Sequence, residues 1–220
     1  MSAHNAPIYF DDKPRVDEVT FAVVPYDSFS GRVVANGVKA AVDGLLDRPI
    51  RNFSGHLVFI NLPLPLGYGV TIDASDAGYL SPVHATFPSD HNPAAARRLM
   101  VPLTRLPSFP YAEATTLIRG VVVRDSGTAT VPVSDASIWV AASANARFNT
   151  TSDERGAFAL PLSRPAHGHP GPYTVTLHLE KGEANRQFDV EINEGKSHSF
   201  KEPIKLPGNN TPEFFDPNQP

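Results

Sequence analysis

Cysteine is absent from the 220 residues of this chain. That excludes a disulfide scaffold, a thiol nucleophile and any thiolate-held zinc, although it does not by itself fix the redox compartment. Long apolar runs are missing as well. Stretches such as residues 21–25 and 57–60 fall far short of the roughly 20 residues that a membrane helix needs, so no membrane insertion is expected. No charge of one sign dominates: 19 Lys+Arg against 23 Asp+Glu leave a net charge of -4, and no basic run exceeds Arg97-Arg98. Nucleic acid and anionic lipid are therefore not expected as partners. Residues 1–12 carry neither the basic start nor the apolar stretch of a secretory signal, and a chain that is cytoplasmic at synthesis is expected.

Hydrophobic residues make up 41% and charged residues 19%, the balance of a chain that folds. The length admits one large domain or two of about 100 residues, and two is the starting expectation. The 22 prolines are a tenth of the chain. Each removes an amide donor and blocks a helix interior, so strands and turns are expected over most of the length. Short alternating or β-branched runs stand at residues 19–24, 31–34, 38–42, 56–60, 68–73, 117–123, 137–141, 157–160, 173–179 and 187–192. Turn residues separate them, the pattern of β-sandwiches.

One short helix is predicted at residues 92–100, with Pro93 in the first helical position after an Asn92 cap. Pro102, Pro107 and Pro110 then make residues 101–111 extended. The expected organisation is an extended arm over residues 1–15, a β-sandwich over 16–105, a Pro-rich connector over 106–116, a second β-sandwich over 117–206 and a flexible tail over 207–220. Phe214-Phe215 gives that tail the character of a docking peptide.

The two halves align loosely. Gly31-Arg-Val-Val matches Gly120-Val-Val-Val, Val38-Lys-Ala-Ala matches Ile138-Trp-Val-Ala, Ser54-Gly-His-Leu-Val-Phe matches Arg155-Gly-Ala-Phe-Ala-Leu, and Gly69-Val-Thr-Ile matches Thr174-Val-Thr-Leu. Two copies of one sandwich are the simplest source of such agreement.

In the second half, Ile118-Arg-Gly-Val-Val-Val, Val131-Pro-Val-Ser-Asp-Ala-Ser-Ile-Trp-Val, Thr150-Thr-Ser-Asp-Glu-Arg-Gly-Ala-Phe-Ala-Leu and Pro172-Tyr-Thr-Val-Thr-Leu follow one another in an order and spacing that resembles the carboxypeptidase regulatory-like domain. The first half looks like a more divergent relative, through Ser54-Gly-His-Leu-Val-Phe and through Val70 to Tyr79. The resemblance implies an all-β fold of two tandem Ig-like or transthyretin-like sandwiches. It implies no peptidase activity, because in that family the sandwich is an appendage to a catalytic domain. The transthyretin-like hydrolases end in Tyr-Arg-Gly-Ser, a signature this sequence lacks. Physical reasons cover the motif residues themselves: Gly156 suits a hairpin corner at positive φ, Phe158 and Leu160 alternate toward a core, and Trp139, the one tryptophan, reads as a core side chain between Ile138 and Val140.

Chemistry is sparse. There is no His-Glu-x-x-His, no nucleophile elbow, no phosphate-binding loop and no dinucleotide fingerprint, and no cofactor is expected. His167 and His169, two apart in one loop, come nearest to a metal pair, but no third ligand stands close in sequence and no metal site is expected. His84, His91, His178 and His198 read as surface or strand residues, and His56 as packing against a partner strand. The acidic clusters at Asp11-Asp12 and Asp73 to Asp76 lack a calcium loop. Asn52, Asn149 and Asn209 begin glycosylation triplets that matter only in a secretory pathway.

Three functions are compatible with this reading. The first is a non-catalytic structural or adaptor protein held to protein partners in a larger assembly, such as a phage-tail-like or contractile injection particle. The second is a carbohydrate-binding module, with Tyr68, Tyr79, Phe109 and Tyr111 as candidate stacking residues for a glycan. The third is an enzyme whose polar groups converge from distant positions. The first is expected.

Overall fold

A computed structural model of the chain describes residues 17–63, 67–87, 97–143, 146–163, 172–208, 212 and 214–215. His91, His167, His169 and the N-terminal arm over 1–15 lie outside these residues. The described residues form strands and turns, with one 3-10 turn at Ser75–Ala77 and no α-helix.

In the first half the strands are β1 (Val19–Asp27), β2 (Lys39–Val42), β3 (Ile50–Arg51), β4 (Leu57–Ile60), β5 (Tyr68–Asp73), β6 (Val83–Phe87) and β7 (Arg98–Leu103). They make a four-stranded sheet ordered β3-β4-β1-β7 and a three-stranded sheet ordered β2-β5-β6. β1 runs antiparallel to β4 and parallel to β7. Strict alternation drives the facing. In β5, Tyr68, Val70 and Ile72 are buried while the residues between them are partly exposed, as a period of two requires. Phe21 sits at the centre of the core, its ring 4.9 Å from Phe59, 4.6 Å from Phe87 and 5.7 Å from Tyr68. Burying each such ring contributes roughly 1.5–3 kcal/mol.

The second half contains β8 (Thr116–Asp125), β9 (Thr130–Pro132), β10 (Ser137–Ser143), β11 (Ala146–Thr151), β12 (Ala157–Leu162), β13 (Tyr173–Lys181), β14 (Ala184–Ile192), β15 (Ser197–Phe200), β16 (Ile204–Lys205) and β17 (Phe214–Phe215). One sheet is ordered β12-β8-β15-β17, with β9 and β16 also pairing β8, and the other β11-β10-β13-β14. Ile118, Ile138, Phe158, Leu160, Leu177 and Ile192 fill the space between them. Each hydrophobic cluster draws on one half: residues 21–103 supply one and residues 118–206 the other.

The pairing pattern repeats. β1 between antiparallel β4 and parallel β7 has its counterpart in β8 between antiparallel β12 and parallel β15. The ladder β2-β5-β6 has its counterpart in β10-β13-β14. Three of the four sequence alignments therefore fall on matching strands, and Gly55 and Gly156, at the corners leading into β4 and β12, share positive φ values of 81° and 73°. The fourth fails. Gly31 to Val34 forms only an isolated bridge from Val33 to Tyr26, because β1 already occupies the central position that β8 takes in the second half.

Three further expectations are corrected. The helix predicted over 92–100 is contradicted at Arg98 to Met100, which belong to β7: Leu99, Val101 and Leu103 turn inward beside β1, and non-local pairing overrides local helix propensity. Trp139 is not a core plug. Ile138 and Val140 face the core, so alternation puts Trp139 on the outer face of the sheet, half-buried. His198, read as a surface or strand residue, is a strand residue of β15, fully buried, and its Nε2 lies 2.9 Å from the Asn193 amide nitrogen, which donates to it. Within the tail, Phe214 and Phe215 pair antiparallel with Phe200 and Ser199, so this aromatic pair docks on its own chain.

Candidate functional site

A dense polar cluster lies where the first half hands over to the second. Asp27, at the end of β1, is 3% exposed. Its Oδ1 accepts from the Phe29 and Ser30 amides, and its Oδ2 accepts from the Tyr79 hydroxyl at 2.8 Å and from Arg105 Nε at 2.6 Å. Burial alone would raise the Asp27 carboxyl pKa. The hydrogen bonds from Arg105, Ser30 and Tyr79, with the Arg105 charge, outweigh it and hold the group below the usual carboxylate range. Burial, then the adjacent carboxylate, pushes the Tyr79 hydroxyl well above its ordinary range.

Arg105 carries the cluster into the connector. Its guanidinium carbon lies 4.9 Å from the Phe29 ring centre, 4.5 Å from Phe109 and 5.2 Å from Tyr111, distances at which cation–π attraction acts. From the other side Arg119, on β8, donates to the Pro107 carbonyl at 2.7 Å and approaches the Tyr111 ring at 5.6 Å. The connector is thus gripped by one arginine from each half. The Tyr111 hydroxyl is buried without a hydrogen-bond partner, and burial raises its pKa.

This arrangement redefines the four candidate stacking residues. Tyr68 and Tyr79 are buried; the Tyr68 hydroxyl donates to the Pro63 carbonyl. Phe109 and Tyr111 touch each other, with centroids 5.4 Å apart, and both lie against Arg105. None is an exposed platform. An outer-face aromatic that sequence reading missed is Trp139. His178, on β13, stacks on it at 3.7 Å with an interplanar angle of 4°, and Arg147, on β11, lies 4.0 Å from its ring centre. Because β11 and β13 flank β10 on opposite sides, both indole faces are covered. Burial, and then the charge of Arg147, lowers the His178 pKa. The signal was present in the sequence: two core residues flanking Trp139 fix it on the other face. Nothing local announces the Asp27–Arg105 pair, which joins positions 78 residues apart.

Three further places could take part in binding. An open cleft of about 900 Å³ between the halves is lined by Tyr79, His84, Ser134, Asp153 and Arg155 among others. A second groove, of about 590 Å³ and mostly apolar, runs along β2, lined by Val38, Ala40, Leu45, Leu46, Pro49 and Leu57 among others. On the outer face of β5, Thr71 Oγ1 donates to Asp43 Oδ1 at 2.8 Å and lies 3.1 Å from His84 Nδ1. The Thr71 hydroxyl thus bridges Asp43 and His84 in a three-residue hydrogen-bonded chain on this face. Among the described residues, no group of three or more His, Asp or Glu is placed to hold a metal ion.

No family model matches the chain, and no curated protein matches it. Among solved structures, the Bacillus anthracis TIE protein is similar over 86% of this chain, with a TM-score of 0.31 and 12% identity; the chain spans about a third, 34%, of that protein's length. A mutant of the shaft pilin SpaA from Lactobacillus rhamnosus GG is similar over 87% of this chain and 98% of its own, with a TM-score of 0.27 and 12% identity.

Proposed function

We propose that the chain is a non-catalytic structural or adaptor protein: two tandem β-sandwich domains of the carboxypeptidase regulatory-like type, spaced by the connector and held to protein partners in a larger assembly. A phage-tail-like or contractile injection particle is the kind of assembly that suits it. One observation carries the reading. Arg105 and Arg119 grip residues 107–111 from opposite halves, so the spacer between the sandwiches is clamped by buried or half-buried side chains instead of being free to swing. A linker held in this way serves a protein that must present two surfaces at a set separation.

The test is affinity capture of the tagged chain from its native host at physiological salt, with mass spectrometry of everything recovered in stoichiometric amount. Recovery of particle or scaffold subunits supports the proposal. A chain that elutes as a lone monomer from native lysate overturns it.

A further inference from the structure

The two halves differ at one strand. In the second half, β11 lies beside β10 over six paired positions, from Ser137 opposite Thr151 to Ser143 opposite Ala146, and turns Phe148 and Thr150 toward the core. Its counterpart β3 has two residues and pairs with β4 instead, which leaves β2 at the edge of its sheet. The apolar groove along Val38, Ala40, Leu45 and Leu57 occupies the position that β11 fills in the second half. We infer that this edge accepts an extended strand from another polypeptide, antiparallel to β2, with apolar side chains alternating into the groove and carboxylates on its rim.

The backbone leaves suitable groups. Asp43 donates its amide to Gly69 on β5, in register with Lys39 opposite Asp73, so odd-numbered residues of β2 turn their amides to β5 and even-numbered ones turn theirs outward. The outward carbonyls at both ends are occupied: Arg51 donates to that of Val38, and the Leu45 amide to that of Val42. The amide and carbonyl of Ala40 and the amide of Val42 face the free edge. In the groove's lining Leu46 is fully exposed, apolar surface that an added strand would cover. With Lys39 paired to Asp76 at 2.7 Å, the lining leaves Arg48 and Arg51 against the single acid Asp47, and this excess of cations selects a strand that carries carboxylates. The inference gives the adaptor reading a docking site and rests on that reading only for the identity of the natural partner.

The experiment is amide NMR of the full labelled chain with two capped octapeptides, one alternating valine and aspartate, the other valine and lysine. The expected result is saturable shifts confined to residues 38–48, slowed hydrogen exchange at the Ala40 and Val42 amides, and binding of the aspartate peptide at least about tenfold tighter than that of the lysine peptide. Ala40→Pro removes an outward amide without touching the ladder to β5, as edge-strand proline can, and should abolish binding while the remaining spectrum stays folded. Exchange at Ala40 and Val42 in the unaltered chain decides the matter should that variant not fold. No shift in residues 38–48 at millimolar peptide, or equal response to both peptides, overturns the inference. Edge amides already protected without peptide also overturn it, assigning the groove to a second copy if dilution removes the protection and to the chain's own residues if it does not. Partner capture alongside failed peptide binding removes this site and leaves the adaptor role standing.

Discussion

The hydroxyl of Tyr79 donates 2.8 Å to the carboxylate of Asp27, 52 residues earlier in the chain, and Arg105 Nε closes on the same oxygen at 2.6 Å. One buried carboxylate thereby organises the turn after β1, the bend before β6 and the start of the connector. Removing its charge by Asp27→Asn leaves Arg105 buried without its counter-ion and should cost about 3 kcal/mol of stability, read as a fall in urea midpoint at neutral pH.

The same carboxylate sets an acid limit. Its pKa in the folded chain lies below the ordinary 3.8, so its contribution is fully present above that value and is lost as the pH falls through the lower, folded-state pKa. Urea midpoints measured from about pH 5 downward should drop below about pH 4, and Asp27→Asn should remove this part of the drop. An unchanged profile in the variant would count against it.

The two tyrosines of the cluster should respond in opposite senses. Tyr79→Phe deletes a donor to a buried carboxylate and should cost about 1–2 kcal/mol. Tyr111→Phe deletes a hydroxyl that is buried without a partner and should leave stability unchanged or raise it by about 1 kcal/mol. Chemical denaturation of both variants beside the parent chain gives the comparison.

At the corner before β12, Gly156 has φ of 73°, and a methyl added there would stand 2.3 Å from the Val122 carbonyl oxygen. Gly127 has a similar φ of 86° with open space around it. Gly127→Ala should cost about 1–2 kcal/mol from backbone strain alone. Gly156→Ala adds a backbone clash and should cost clearly more, seen as a lower Tm by calorimetry.

The stack of His178 on Trp139 offers a local titration. Burial and Arg147 hold the His178 pKa below its usual 6.5, so the neutral ring persists in the folded chain to lower pH, and stability associated with it is lost as the pH falls below 6.5 through the folded value. Tryptophan emission should change with a midpoint below 6.5 and show no such step in His178→Gln.

Much of the strand content could be read in advance because it rests on local alternation. Residues 68–73 read from period alone coincide with β5, and residues 38–42, 56–60 and 173–179 overlap β2, β4 and β13. β7 was misread although Leu99, Val101 and Leu103 alternate, because the helix formers around Arg98 and the prolines after it masked a strand whose existence depends on β1, some 75 positions earlier. Pro102 is tolerated there, exposed on the strand at the edge of the sheet. The candidate site was less legible. Tyr79, Phe109 and Tyr111 were singled out as aromatics, but their use depends on Asp27, Arg105 and Arg119, whose charges meet only after the sheets form. Trp139 was assigned by hydrophobicity where its neighbours' alternation gave the better answer.

The parallel pairing of β1 with β7, and of β8 with β15, has a mechanical consequence. In each half the strand that enters first and a strand that leaves late lie side by side and point the same way. Tension applied along the chain therefore pulls neighbouring strands past each other, straining the bonds of the ladder together, whereas a hairpin pulled open from one end parts bond by bond. A single molecule stretched from residues 17 and 206 should yield at a higher force than one stretched across the β3–β4 hairpin.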